Sequence, residues 1–560
     1  MPATRVTVIV NTEQTQKTIL LVPASISYDP CVSPSCHSLV TKIAQTKLRL
    51  KKPCRIFARG GQELVTTENW QDAIRNDATL LVSTGEDYVG ARTEVSDSSR
   101  TREAGGASRD CPVIQLNGQT EVDSLSLTQL ETTARSLPGI LHAVAQPDLH
   151  PGTKYPIGGV LVSKGWIHPP LIGSDIGCGM AWYKTSLSRS QVEGDKGRKV
   201  AEKLRGLEGP WRSHAEQVTW LGQVGGAGQK WDASLGTIGA GNHFAELQVV
   251  EESSPGHGEA GTTSSTELSE NDVILLVHSG SRGYGGDILK RHTGNGRDSI
   301  PESEAGDYLQ EHDHACQWAE RNRDLIALRF LSILEPGQES WSPGKNEPGQ
   351  PVASDEICHS YTEIQKRKVV DIWHNNIERT LWPPSNPHAI SEGQEQQQTA
   401  YIHRKGAAPT YHPSTRQPLN ILPLPGSRAT PTIILHPTFS TTNDFGRVNA
   451  LSLAHGAGRA RSRADAATHV AEKYKGRADD LLRGDFVRAD RHGNKKVDDG
   501  QGRDIKGGTW VVCEDKQLVW EEASEAYKDV WKVAGDLVAK GCAERWGWCR
   551  GRVSYKVRKE

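Results

Sequence analysis

No run of the chain approaches the ~18 consecutive apolar residues that cross a bilayer, and its first residues, MPATRVTVIV, lack the charged and apolar regions of a secretory signal. The sequence therefore reads as a soluble intracellular protein, cytoplasmic or nuclear and not secreted, with no membrane partner. An excess of charge is missing as well. The 66 Lys and Arg nearly balance 68 Asp and Glu, for a formal net charge of −2, so any polyanion site has to come from local clustering rather than from the field of the whole molecule. The ten cysteines are scattered, with no compact disulfide framework; in a reducing compartment single cysteines are free to act as thiolate ligands or nucleophiles. Hydrophobic residues make up only 36% of 560 residues, so part of the length is polar insertion rather than core. That length also exceeds one core at the usual ~100–200 residues per domain. There is no internal repeat and no βαβ regularity.

What is present falls into two parts. Alternating apolar and polar residues in RVTVIVNTEQTQKTILLVP predict a β-hairpin, a helix-like piece follows, and CRIFARGGQEL and TLLVSTGEDYVG supply further strands. This order over residues 1–91 resembles a ubiquitin-like β-grasp module, of the doublecortin type. Residues 92–112 are polar and read as a flexible linker. From 113 to 560, strand-like runs such as VILLVHS and PTIILH alternate with helical periods such as EIQKRKVVDIWHNNIERTL, an α+β mixture. It is interrupted by polar insertions near 253–270, 337–354, 391–399, 436–447 and 488–504: the first three are expected to loop out, 488–504 is too charged for core, and 436–447 lies just before the segment SLAHGAGRARSR, where it can alter access.

Six short segments carry chemistry. In AQPDLHPGTKYPIGG, Asp148 and His150 are two apart on an extended stretch and share a face, with Lys154 in the loop after them. In GSDIGCGM, Asp175 and Cys178 are close enough for a carboxylate and a thiolate to reach one divalent cation, and a thiolate has lone pairs to bridge two. Taken singly, Cys178 also reads as a small buried hydrophobe. LGTIGAGNHFAEL offers Asn242, His243 and Glu246. LLVHSGSRGYGG ends an apolar strand on His278 and enters a Gly/Ser loop whose backbone N–H groups and Arg282 suit phosphate. VVDIWHNNIER puts His374 on a segment read as helical or helix-terminal. Together Asp175, Cys178, His243, His278 and His374 make a mixed O/S/N ligand set that suits Mn²⁺, Zn²⁺ or Fe²⁺ better than Ca²⁺. Finally, SLAHGAGRARSR sets His455 against a glycine-rich backbone and three arginines, Arg459, Arg461 and Arg463.

PDLHPGTKYPIGG, GSDIGCGM, LGTIGAGNHFAEL, VHSGSRG, WHNN, RKGA (404–407), LPGS (424–427) and HGAGRARSR, in this order, resemble the RtcB family of tRNA-splicing and RNA-repair ligases over roughly 113–560. The resemblance implies a large mixed β-sheet ligase domain. It implies joining of an RNA 3′-phosphate or 2′,3′-cyclic phosphate end to a 5′-hydroxyl end, driven by GTP with two Mn²⁺ per active site. Its partners are RNA ends, either tRNA halves or broken RNA, and an activating protein of the archease type. It implies that His455 is the nucleophile that takes GMP, and that Asp148, Arg282 and Arg463 lie near the reacting phosphates. The resemblance further implies that Asp175 and His243 hold one metal and His278 and His374 the other, with Cys178 bridging. Asn242, Phe244, Glu246, Ser427, Ala457, Gly458 and Lys556 form the guanylate pocket, and Lys405 matches RKGA. Position 454 is Ala where relatives often have Cys, and the family's usual ending after RVSYKV is absent.

Two other classes fit parts of the pattern. A metal-dependent phosphodiesterase or nuclease also uses two cations held by histidine and aspartate, but needs no guanylate pocket or HGAG motif. A catalytically silent RNA-binding scaffold would have no use for the ligand positions and His455.

Overall fold

The computed structural model describes residues 4–12, 17–23, 26–30, 32–51, 55–58, 61–74, 78–86, 88, 111–254, 268–294, 296–346, 350–385, 396–412, 415–427, 430–473, 475, 487–489, 495–497, 509–513 and 515–557. The chain divides into two compact units, Met1–Gly106 and Ala107–Glu560. Of the expected linker, only Cys111 and Pro112 fall within the described residues.

In the first unit, strands β1 (Thr4–Val10), β2 (Lys17–Val22), β3 (Arg55–Ala58) and β4 (Ala78–Ser83) form one sheet in the order β2-β1-β4-β3. The β1/β2 and β3/β4 pairs are antiparallel and β1/β4 is parallel. Strand alternation sends Val6, Val8, Val10, Leu20 and Val22 into the core, where the helix Cys36–Thr46 meets them with Cys36, Val40 and Ala44 at a spacing of four. Ser35 and Ser38 close a capping box at that helix's start.

The second unit is a mixture of helices and sheets, as an α+β chain should be. Its strands are β5 (Val113–Gln115), β6 (Ile140–His150), β7 (Ile157–Ser163), β8 (Trp166–Ile167), β9 (Gly179–Lys184), β10 (Phe244–Ser253), β11 (Val273–Ser279), β12 (Ile300–Pro301), β13 (Lys368–Trp373), β14 (Asn375–Trp382), β15 (Gln398–Lys405), β16 (Ala407–Pro409), β17 (Leu422–Pro425), β18 (Pro431–Pro437), β19 (Ser452–Ala454), β20 (Val487–Ala489), β21 (Lys495–Val497), β22 (Trp510–Val512) and β23 (Ala543–Tyr555). One sheet runs β13-β9-β11-β10-β23-β18-β17, with β22 beside β23; a second runs β14-β15-β7-β6-β5, and β16 pairs with β19. Apolar residues from β9, β10 and β11 pack with the 29-residue helix Gly306–Leu334 in the largest core cluster.

Three expectations need correction. His374 is not helical: the helix Ser354–Arg367 stops before it, and the residue sits between β13 and β14. The run Val369, Val370, Ile372 is β-branched and buried on both faces, so sheet pairing with β9 outcompetes continuation of the helix. The stretch 337–354 does not simply loop out, because Glu339–Gly344 forms a 3-10 turn that buries Trp341, whose indole donates to Glu335 Oε2 at 2.9 Å. The polar insertion expected at 436–447 is packed into the fold. His436 belongs to β18, Phe445 is buried, and the buried Asn443 donates to Thr438 O at 2.7 Å, which meets its polar demand. Residues 255–267 and 391–395 lie outside the described residues, as does most of 488–504 beyond the β20/β21 pair.

Arg323, on the long helix, is fully buried and forks onto Asp371 of β13 at 2.6 and 3.0 Å. Its other nitrogen donates to Gly177 O and Ser279 O, both at 2.9 Å, beside two expected ligand positions. Replacing Arg323 by Met leaves Asp371 and two carbonyls buried without their donor. The expected loss is about 3–5 kcal/mol, read as an earlier denaturant midpoint in urea.

Candidate active site

The sheet register assembles the expected ligands at one edge. Strands β13, β9, β11 and β10 are neighbours, and the register pairs Trp373 with Gly179, Gly179 with Ser279, and His278 with Phe244. Cys178 immediately precedes β9, His243 precedes β10 and His374 follows β13, so these residues and His278 meet. The backbone ties the loops together: His374 N–H donates to Cys178 O at 2.8 Å and Gly177 N–H to Asn375 O at 2.9 Å.

The side chains divide into two pairs around one sulfur. Asp175 Oδ2 lies 2.8 Å from His243 Nε2, and His278 Nε2 lies 3.3 Å from His374 Nε2. Cys178 Sγ is 3.2 Å from His243 Nε2 and 3.4 Å from His278 Nε2. Cys178, His243 and His278 offer donor atoms within 4.8 Å of one another, a grouping able to hold a metal ion.

The electrostatics match a cation site. Burial pushes the Cys178 thiol well above its ordinary value and the Asp175 carboxylate adds to that, so a thiolate here calls for a cation beside it. Burial would also raise Asp175, but the His243 imidazole and the Arg282 guanidinium hold its carboxyl below the usual value. Burial, reinforced by His374 for His278 and by His455 for His374, keeps both imidazoles well below theirs, neutral with lone pairs to donate. Oδ1 of Asp175 is buried with no hydrogen-bond partner, an orphan acceptor that a divalent cation would satisfy.

Beside this cluster stands His455, at the end of β19, its ring centroid 4.6 Å from that of His374. Its Nδ1 lies 2.9 Å from Oδ2 of the fully buried Asp148. A carboxylate only accepts, so this pairing places the proton on Nδ1 and the lone pair on Nε2. Gly458, with φ +70°, passes so close to Asp148 that an added Cβ would sit 2.2 Å from the Asp148 carbonyl oxygen. Only glycine permits that approach.

A cavity of about 180 Å³ opens above His455. Of the residues expected at the site, Asn242, Phe244, His278, Ser427, His455, Ala457, Gly458, Arg463 and Lys556 line it. Lys556 Nζ donates to His243 O at 3.1 Å. Others lie elsewhere. Glu246 sits behind the wall over Gly551 and accepts from Gln248 Nε2 at 2.9 Å. Arg282, with φ +60°, lays its guanidinium against Gly239. Lys405 is largely buried beside Gly173, donating to Tyr155 O at 3.3 Å, and Lys154 pairs on the surface with Asp298.

Sequence reasoning missed Glu522 and Tyr527. Glu522 is 3% exposed and lines the cavity, held by Arg459 at 3.1 Å, by Arg463 at 3.6 Å and by the Tyr527 hydroxyl. Arg459 is therefore pinned rather than solvent-facing, and the helix that follows begins only at Arg463. The segment EEASEAYKD looks like a solvated face, and spacing does not separate a buried acid from an exposed one.

Comparison with known proteins identifies the family. The family profile described as tRNA-splicing ligase RtcB matches residues 129–219 and 221–482. The chain is 33% identical to the RNA-splicing ligase RtcB2 of Escherichia coli over 426 residues, covering 75% of this chain and 89% of that one. It is 28% identical to the tRNA-splicing ligase RtcB of Thermococcus kodakarensis over 470 residues, 70% of this chain and 83% of that protein. For the corresponding protein of Pyrobaculum aerophilum the figures are 26% over 478 residues, 73% and 86%. A profile that spans the Cys178 cluster and the His455 loop alike leaves one conclusion: the chain belongs to the RtcB family of RNA-splicing ligases.

Proposed function

We propose that this enzyme is a 3′-phosphate/5′-hydroxy RNA ligase that works through a covalent His455–GMP intermediate. The observation that carries the reading is the His455–Asp148 pair, 2.9 Å apart, opening on a cavity beside a ligand cluster. His455 Nε2 attacks the α-phosphorus of GTP, the bond to the β-phosphate oxygen breaks, and pyrophosphate leaves. Asp148 accepts a hydrogen bond from the Nδ1–H throughout and stabilises the positive charge that develops on the ring. An oxygen of the RNA 3′-phosphate then attacks the phosphorus of the bound GMP, freeing His455 and leaving the RNA end activated as an anhydride. The 5′-hydroxyl oxygen next attacks that RNA phosphorus; GMP departs, the hydroxyl proton passes to solvent, and a phosphodiester remains. A 2′,3′-cyclic end is first opened by water.

Asp175 and His243 would hold one Mn²⁺ and His278 and His374 a second, with Cys178 between them. Such cations neutralise charge on the phosphates. Asn242, Phe244, Ser427, Ala457, Gly458 and Lys556 surround the guanylate, and Arg463 lies beside them. Glu246 serves as guanine reader if Gln248 releases its carboxylate, which can accept from an N–H edge that adenine lacks. Arg282 acts on the phosphates from beside Asp175. The first unit is proposed to be a ubiquitin-like β-grasp module on the strength of its β2-β1-β4-β3 order. RNA ends, from tRNA halves or broken RNA, are the substrates, and an archease-type protein is the expected activator.

The test is incubation of the purified protein with Mn²⁺, GTP labelled at the α-phosphate, and RNA bearing 3′-phosphate and 5′-hydroxyl ends. Labelled protein and joined RNA are expected. GTP-independent release of RNA phosphate without joining would mark a phosphodiesterase, and RNA binding with neither product would mark a scaffold.

A further inference from the structure

Lys528 plays no part in the cavity wall, yet it touches both halves of the nucleophile assembly. Its Nζ donates to Leu149 O at 2.6 Å and to Pro147 O at 3.1 Å, the two carbonyls that flank Asp148 at the end of β6. Its own backbone N–H donates to Gly458 O at 3.0 Å, in the loop that begins with His455. The neighbouring residues continue the contact: Ala460 N–H donates to Ala526 O at 2.8 Å, and Arg459 bridges Tyr527. One short segment therefore templates the His455 loop with its backbone and holds the Asp148 carbonyls with a single ammonium.

We infer that Lys528 is a positioning residue for guanylylation, setting Asp148 against His455 without touching the nucleotide. This rests on the proposed role of His455. An ammonium on a long stem reaches the two converging carbonyls and donates to both at once, while leaving the Asp148 side chain free to point at His455. The Asp148 carboxylate is close enough to oppose the lowering of the Lys528 ammonium caused by burial, as are Asp123 and Asp536. Removing the ammonium frees the end of β6 to shift against β19. The nucleophile then loses its alignment with phosphorus, while the cavity that binds GTP keeps its walls.

The experiment is single-turnover labelling of the full chain with α-labelled GTP and Mn²⁺ across GTP concentrations. Lys528→Met is expected to lower the saturating rate about 10²-fold, the scale of a 1 Å misplacement, with half-saturating GTP little changed. Lys528→Arg is expected to restore most of the rate, and Lys528→Gln, which can donate to one carbonyl, to fall between. Because Lys528 acts through Asp148, adding Lys528→Met to Asp148→Asn should cost no more than about two-fold further. A saturating rate unchanged in Lys528→Met, or a loss confined to half-saturating GTP, would overturn the inference. So would a penalty that multiplies in full on the Asp148→Asn background. Should Lys528→Met not fold, Lys528→Gln with and without Asp148→Asn carries the same test. Absence of label on the unaltered protein would instead sink the ligase reading itself.

Discussion

With alanine in place of His455 the protein is expected to fold, to keep the ligand cluster around Cys178 and to take no label from α-labelled GTP, with its RNA-joining rate lowered by about 10⁴–10⁶-fold. The expectation is extreme because no other group can stand in. Asp148 is fully buried behind the ring. The nearest imidazole, His374, turns its Nε2 toward His278 at 3.3 Å. The cost to folding is smaller: the substitution leaves Asp148 Oδ2 without its donor in a buried place, about 1–3 kcal/mol. Circular dichroism and the denaturant midpoint would separate that modest loss from the loss of chemistry. Labelling of the alanine variant at the native rate would refute the covalent role outright.

Replacing Cys178 by alanine is expected to be nearly as severe, by a different route. The sulfur lies close to both ligand pairs, 3.2 Å from His243 and 3.4 Å from His278. Without it, one cation would keep only Asp175 and His243 and the other only His278 and His374, with no ligand shared between them. Loss of a central thiolate should exceed the ~10–100-fold penalty in metal affinity that removal of an outer partner already brings. Metal content after dialysis should fall, and labelling should fall with it. The fold should survive, since the lost side chain is small and Arg323 still holds Gly177 O and Ser279 O. Full Mn²⁺ content together with undiminished labelling would contradict the two-cation reading. A variant that loses metal yet labels normally would show that His455 works without it.

These two residues illustrate what sequence carries well. Cys178 and His455 stand in glycine-rich stretches that marked them as candidates, and their roles as bridging ligand and nucleophile came from the family resemblance of those stretches. The strand run into His278 was also legible, because VILLV is an unbroken apolar run and all of β11 is buried. His374 was harder. A helix-like period runs up to Arg367, and the apolar residues after it suit a strand or a buried helix equally until β9 is seen beside them. Trp341 and Phe445 defeat composition in the same way, since one buried aromatic can anchor a stretch that is otherwise polar. Glu522 and Tyr527 had no local signal, because their burial comes from Arg459 and from a cavity assembled by distant strands.

By itself the sequence determined the chemical parts and their order: the ligand types, the histidine with its bare glycine loop, and the family those motifs belong to. Tertiary structure alone decided the pairings that put Asp148 on His455 and Lys528 on the carbonyls around Asp148. The reason is physical. Residue type and spacing report forces that act within a few residues, whereas Asp148 and His455 are 307 positions apart. Strand register and core packing alone bring such residues within hydrogen-bond reach.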